Sequence, residues 1–138
     1  MVRRIHHLDF VVRDLDRATQ LYRRILGQEP LPREHLPQRG IDLVRFRLGE
    51  TWLILVQPLS DASPVMDFLR QHGEGFFHIA YQVDDAASKG QELADDGIGV
   101  VNLEPRLGVE GWKLVDLDMA DTLGVMTQLV EQVGSDEN

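Results

Sequence analysis

The sequence predicts an α+β protein made of two similar halves, each with a strand, a helix and about three further strands. Three observations support this fold class. The octamer at residues 7–14 (His-aliphatic-x-aromatic-x-Val-x-Asp) recurs 71 positions later, at residues 78–85. A helix-like stretch ending in glycine follows each octamer. Residues 55–57 (Leu-Val-Gln) lie 74 positions before the similar residues 129–131 (Leu-Val-Glu). Segments that recur in the same order indicate a duplicated structural unit.

Each octamer is predicted to be a strand, and the first is followed by an amphipathic helix. The helix carries apolar side chains at the spacing of one face: Ala18, Leu21, Tyr22, Ile25 and Leu26. Asp14 or Asp16 can cap its first turn, and Gly27 can end it. The helix of the second half has a weaker apolar stripe, formed by Ala86, Ala87, Leu93 and Ala94, and Gly97 closes it.

Strands are predicted after each helix. The candidates are residues 41–48 and 52–56 in the first half, and residues 99–103, 112–117 and 125–130 in the second. In the first of these, side chains alternate between two faces, with Val44, Phe46 and Leu48 on one and Leu43, Arg45 and Arg47 on the other. Ser63-Pro64 predicts a linker helix over about residues 63–72, with serine as cap and proline in its first turn.

These elements give one domain over residues 1–138. The first module covers about residues 3–58, the linker helix about 63–72, and the second module about 75–131.

Composition excludes several classes of protein. The chain has 138 residues, of which 43% are hydrophobic, and it has no cysteine, so disulfides and cysteine-based metal sites are ruled out. The net charge of −9 disfavours nucleic-acid binding. No apolar run reaches membrane-spanning length, and the first residues do not look like a signal peptide. We therefore expect a cytoplasmic protein that acts on a small molecule, with neither nucleic acid nor membrane as a partner.

Two histidines and an aspartate form the predicted site. If the halves repeat, His7 and His78 occupy equivalent positions facing a shared interior, and Asp9 lies on the same strand face as His7. Neutral imidazoles on facing strands suit a divalent metal, although a buried histidine bonded to backbone is the common alternative. Asp9 could be a third ligand, a general base or a partner that orients an imidazole. Alternatively, the strand parity is reversed and Asp9 faces solvent.

Four further side chains are candidates for substrate binding: Arg45, Arg47, Trp52 and Met126. The two arginines share a strand face and could hold an anionic group, although such a pair is more often a solvated strand face. Trp52 could line a pocket, although a core tryptophan is more common. Met126 lies on the strand face of Gln128, which the terminal repeat pairs with Ile54.

The sequence resembles the vicinal oxygen chelate superfamily (glyoxalase/bleomycin resistance/dioxygenase), and within it the methylmalonyl-CoA epimerase-like branch. The motifs that carry the resemblance are at residues 5–8, 14–18, 58–65, 73–75, 83–85, 104–108 and 123–125. The resemblance implies paired βαβββ modules that form a cupped, partly open mixed sheet with helices outside. It also implies a homodimer and a divalent metal ion such as Co, Ni, Zn, Mn or Fe.

Carried over residue by residue, the resemblance implies an atypical metal site. The two histidine ligands fall on His7 and His78, and the third ligand falls on Gln128, where many members have glutamate. The remaining ligand position is Ile54, which cannot bind metal. The segment at residues 116–119 also departs from the Phe-x-His-Pro pattern of the epimerases.

Three functions follow from this sequence. The first is an enzyme that transfers a proton next to the carbonyl of a small-molecule or acyl-CoA substrate, by epimerisation, isomerisation or lyase chemistry. In it, Asp9, His7 and His78 are catalytic. The second is a metal-free enzyme of the same fold, in which these side chains act directly as acid and base. The third is a non-catalytic small-molecule-binding protein of the drug-sequestering type.

Overall fold

The computed structural model describes residues 1–134, which contain three α-helices and eight strands. The helices are α1 (Leu15–Leu26), α2 (Pro64–His72) and α3 (Ala86–Asp95). The strands are β1 (Arg4–Val11), β2 (Glu34–Leu36), β3 (Ile41–Leu48), β4 (Thr51–Pro58), β5 (Gly75–Gln82), β6 (Arg106–Leu107), β7 (Lys113–Asp116) and β8 (Thr127–Glu131). The longest described helix, α1, has 12 residues, which is too few to cross a membrane.

The strands form one hydrogen-bonded sheet in the order β2-β3-β4-β1-β5-β8-β7-β6. Each repeat contributes four neighbouring strands. Counted from the edge of the sheet inward, the order is β2-β3-β4-β1 in the first repeat and the equivalent β6-β7-β8-β5 in the second. Strands β5 and β8 are parallel, whereas β3 and β4, and β7 and β8, are antiparallel. The predicted α+β class, with two βαβββ repeats and a mixed sheet, is therefore confirmed.

The chain divides into two compact units, one formed by Met1–His7 with the chain from His78 onward, the other by Leu8–Phe77. Strands β1 and β5 pass through both units. The unit of Leu8–Phe77 has a core in which α1 covers one face of β3 and β4. The core side chains are Val12, Leu15, Val44, Phe46, Leu53 and Leu55, with Leu8 and Phe10 packed against them.

Helix α1 begins and ends where the sequence predicts. Asp14, rather than Asp16, caps it by accepting a hydrogen bond from the backbone N–H of Arg17, and Gly27 ends it with a φ of +69°. Ala18, Tyr22 and Leu26 pack on the core. The other two members of the predicted stripe, Leu21 and Ile25, are exposed, because the buried face of the helix is centred on Leu15 and Thr19.

The unit formed by Met1–His7 and the chain from His78 onward has its own core, which lies under α3. Its buried side chains are Val83, Ala86, Val115, Leu117 and Leu129. Helix α3 lies so close to β7 that a Cβ on Gly90 would be 3.2 Å from a methyl group of Val115. The linker helix α2 has the predicted bounds, with Ser63 as its N-cap and Pro64 in its first turn.

The prediction of a strand over residues 99–103 is wrong. This segment makes only one isolated bridge, between Val100 and Leu117, and the edge strand β6 comes later. Hydrogen bonds from a side chain replace backbone strand pairing here. The side chain of Asn102 donates to the carbonyl of Leu114 and accepts from the backbone N–H of Asp116. The short strand β2 was not predicted from the sequence.

Candidate active site

His7 and His78 converge in the structure. They lie on β1 and β5, both buried, and their Nε2 atoms are 3.3 Å apart. The repeat places them at equivalent positions on neighbouring strands, which brings the two rings together. The predicted convergence of the two imidazoles is confirmed.

His7 is held between other rings. Its Nδ1 lies 2.9 Å from Nδ1 of His6, and the indole of Trp112 stacks on it at 5.4 Å with an interplanar angle of 20°. Burial holds the pKa of His7 well below its ordinary value, and the neighbouring His78 and His6 lower it further. His7 is therefore a neutral imidazole at pH 7, which is the form that can accept a proton or bind a metal.

Asp9 lies on the same side of β1 as His7, because side chains two residues apart on a strand point the same way. Its side chain is buried, with 7% exposed, so the alternative in which it faces solvent is wrong. One carboxylate oxygen of Asp9 and one ring nitrogen each of His7 and His78 all lie within 4.8 Å of one another. The structure thus brings together the three residues that the sequence proposed as catalytic.

Gln128 and Asp116 face each other across β8 and β7. Gln128 is buried, and its Oε1 has no hydrogen-bond partner among the described residues. Arg106 donates to both carboxylate oxygens of Asp116, at 2.8 and 3.2 Å. Although burial alone would raise the pKa of Asp116, this hydrogen-bonded guanidinium lowers it below its ordinary value. Asp116 is therefore an ion-paired carboxylate, and the side chain of Gln128 lies between it and His7.

The donor set near His7 fits a divalent cation. Two neutral imidazole nitrogens and a carboxylate are ligands that such ions accept. Two imidazoles that bind one ion at about 2.1 Å, at angles between octahedral and tetrahedral, have nitrogens roughly 3.0–3.4 Å apart. The observed 3.3 Å between His7 and His78 lies in that range. Ile54 is buried on β4 and offers no ligand atom, as the sequence indicated.

Arg45 is not on a solvated strand face, which corrects the more common interpretation of such a pair. It is buried, with 3% exposed, because its guanidinium pairs with Glu34 at 2.7 Å and lies over the ring of Trp52 at 4.7 Å. Arg47 contacts the same ring at 4.9 Å. Trp52 itself is buried, as a core tryptophan would be. Both arginines therefore have partners within the protein.

The roles proposed for Arg45, Arg47, Trp52 and Met126 in substrate binding stay predictions. Met126 is half-buried just before β8, and its carbonyl accepts the N–H of Ile79. Sequence reasoning missed His6, Trp112, the Arg106–Asp116 pair and Glu34. Of these residues, only His6 could have been noticed in the sequence, because it directly precedes the proposed ligand His7. It was left out because neighbouring residues on a strand point to opposite faces of the sheet.

A sequence profile described as the Glyoxalase/Bleomycin resistance protein/Dioxygenase superfamily matches residues 6–115, which contain His7, Asp9 and His78. The chain belongs to this superfamily. The resemblance inferred from the sequence motifs is thereby confirmed.

Several named relatives of the chain are epimerases. The chain is 32% identical over 135 residues to an ethylmalonyl-CoA/methylmalonyl-CoA epimerase of Cereibacter sphaeroides, covering 96% of this chain and 100% of that protein. It is 31% identical over 127 residues to the human mitochondrial methylmalonyl-CoA epimerase, covering 91% of this chain and 72% of that one. The predicted enzyme class of isomerase or epimerase is confirmed by these relatives, which give no support to lyase chemistry.

A solved structure agrees with this assignment. The Streptomyces coelicolor methylmalonyl-CoA epimerase, crystallised as a variant with 2-nitronate-propionyl-CoA, superposes with a TM-score of 0.92 at 29% identity, and 100% of each chain is covered. The likeness extends over the whole superfamily fold, including the strands that carry His7, His78 and Gln128.

Proposed function

We propose that this protein is an epimerase that inverts the α-carbon of a 2-substituted malonyl-CoA thioester. The observation that carries the proposal is the buried cluster of His7, Asp9 and His78, which combines two imidazoles with one carboxylate. The epimerase relatives support the substrate class and the reaction.

The chemistry requires removal of an α-proton and stabilisation of the resulting enolate. In the proposal, His7 and His78 hold a divalent ion, with the amide oxygen of Gln128 and the carboxylate of Asp9 as further donors. Such an ion, when bound, stabilises negative charge on the carbonyl oxygen. The low pKa of His7 keeps its nitrogen available as a ligand at neutral pH.

Asp9 is the proposed proton acceptor. The superfamily position that is often glutamate is Gln128 in this chain, and an amide has no basic group at neutral pH. Asp116 is a poor alternative, because its ion pair with Arg106 stabilises the charged form and lowers its pKa. Asp9 is buried beside the imidazoles, where it can take the α-proton of a bound thioester. Protonation of the opposite face of the planar enolate by water completes the inversion, and Asp9 gives the proton it took to solvent.

The test is exchange of the α-proton with solvent. Purified protein, stripped with a chelator and then reloaded with Co²⁺, is incubated with methylmalonyl-CoA in D₂O, and loss of the α-proton signal is followed by ¹H NMR. We expect exchange by the reloaded protein and little by the stripped protein. Equal exchange in the presence of chelator would replace the proposal by direct acid–base catalysis. Tight binding of the thioester without exchange in either state would contradict an epimerase and favour a binding protein.

We further infer that the protein forms a homodimer, as the resemblance to its superfamily implies, and that it acts in the cytoplasm.

A further inference from the structure

A hydrogen-bonded chain of side chains leads to His7 from the side away from His78. Arg4 Nη2 donates to Gln132 Oε1 at 3.1 Å, and the same oxygen lies 2.6 Å from His6 Nε2. His6 Nδ1 in turn lies 2.9 Å from His7 Nδ1. His6 is fully buried, and Trp112 packs edge-on against its ring at 4.4 Å.

Arg4 determines which atom donates and which accepts in each of these hydrogen bonds. A guanidinium only donates hydrogen bonds, so the Gln132 atom that Arg4 contacts is the amide oxygen, which only accepts. His6 Nε2 must therefore carry a hydrogen. Burial favours the neutral imidazole, and a neutral ring has one donor and one acceptor nitrogen. His6 Nδ1 is then the acceptor.

The tautomer of His7 follows from that of His6. Because His6 Nδ1 accepts, the hydrogen in the 2.9 Å contact belongs to His7 Nδ1. Burial favours the neutral ring in His7 as well, so its lone pair is on Nε2, the atom that lies 3.3 Å from His78 Nε2. The ring cannot easily turn to exchange its nitrogens, because Trp112 stacks on it.

We propose that His6 is a positioning residue that fixes His7 in the Nδ1–H tautomer and so directs its Nε2 lone pair into the site. Arg4 and Gln132 set the orientation of His6. Metal-binding histidines commonly donate their second ring N–H to a carboxylate or a carbonyl. In this protein His6, the residue before the proposed ligand His7, takes the place of that acceptor. The importance of this tautomer for catalysis rests on the proposed function, but the tautomer itself does not.

Two substitutions separate hydrogen bonding from packing. His6→Asn keeps a side-chain oxygen that can take the place of Nδ1 as acceptor. His6→Phe keeps the ring shape and loses both nitrogens. His72→Phe is the matched control, since His72 is exposed on α2 and stacks on Phe68 through its ring face.

The experiment measures tautomers in the chelator-treated protein by long-range ¹H–¹⁵N NMR with ¹⁵N-labelled histidine. We expect the Nδ1–H tautomer for His7 in the wild type, in His6→Asn and in His72→Phe, and a shift toward Nε2–H in His6→Phe. Co²⁺ affinity, read from its visible absorption, should fall about 10–100-fold in His6→Phe. It should stay within about threefold of wild type in His6→Asn.

An Nε2–H tautomer for His7 in the wild type would overturn the inference, and this spectrum needs no variant to fold. Unchanged tautomer and Co²⁺ affinity in a folded His6→Phe would also overturn it. Failure of α-proton exchange, with the tautomers as expected, would contradict the proposed function and leave the role of His6 intact. The two proposals can therefore fail separately.

Discussion

At the scale of single residues, strand parity and the internal repeat together predict the cluster of His7, Asp9 and His78, with reversed parity as the alternative for Asp9. Two residues on one strand must share a face, and the repeat relates the strands that carry the two histidines. The same parity could not reveal that His6 lies in a hydrogen-bonded chain with Gln132, because the two are 126 positions apart in sequence. Contacts of that kind depend on how the strands pair.

Asp9→Asn tests the proton acceptor. Asparagine has nearly the same shape but cannot accept a proton, so we expect α-proton exchange to fall by about 10²–10⁴-fold. The rate is measured by ¹H NMR in D₂O at saturating Co²⁺, so that weaker metal binding is not mistaken for a lost base. Asp67→Asn, at an exposed carboxylate on α2, is the control and should match the wild type. A rate for Asp9→Asn within threefold of wild type would remove Asp9 from its proposed role.

At the scale of elements, the segments with strong local signals formed as predicted. Strand β3 has the predicted bounds because its alternation is regular, and α2 does because Ser63 and Pro64 define its start. The strand predicted over residues 99–103 failed because Asn102 provides hydrogen bonds that a ladder would otherwise supply. The partners of that side chain, 12 and 14 positions away, could not be identified from local pattern.

The pairing of β6 with β7 gives a prediction about pH. Because Arg106 lowers the pKa of Asp116, the folded state favours the charged carboxylate, and the ion pair stabilises the protein above the unfolded-state pKa of about 4. Asp116→Asn should lower the free energy of unfolding by about 1–2 kcal/mol at pH 7. The difference from wild type should shrink as the pH falls below about 4, where the wild-type carboxyl becomes protonated.

Urea denaturation from pH 7 to pH 3 measures this difference. Asp61→Asn is the control, since Asp61 pairs with Arg70 at the surface and surface ion pairs contribute little. If the free energy of unfolding of Asp116→Asn stays below that of the wild type by the same amount over this pH range, the charge of Asp116 does not stabilise the fold.

At the scale of the whole molecule, the repeat and the superfamily motifs predicted the fold class, because a duplicated βαβββ pattern leaves few ways to order eight strands. They did not predict the partners of the buried charges. Arg45 lies on the strand face that the sequence assigned to it, yet its pairing with Glu34 depends on β2, a strand of three residues with no clear pattern.

Cation binding should stabilise the whole protein, since an ion that binds only the folded state adds to the free energy of unfolding. At 100 times the dissociation constant, Co²⁺ should add about 2.7 kcal/mol and raise Tm by roughly 5–10 °C. Differential scanning fluorimetry with and without chelator measures the shift. His78→Ala should show no shift, and His72→Ala should behave like wild type. An equal shift in His78→Ala would place the ion elsewhere.

The most direct test of the central claim, that the duplicated imidazoles and Asp9 form one cation site, is anomalous X-ray scattering. Crystals grown with Co²⁺ are measured on both sides of the cobalt absorption edge. We expect a single strong peak about 2.0–2.2 Å from Nε2 of both His7 and His78, with a carboxylate oxygen of Asp9 in the same coordination shell. A map with no peak there, and with the two rings still in direct contact, would contradict it.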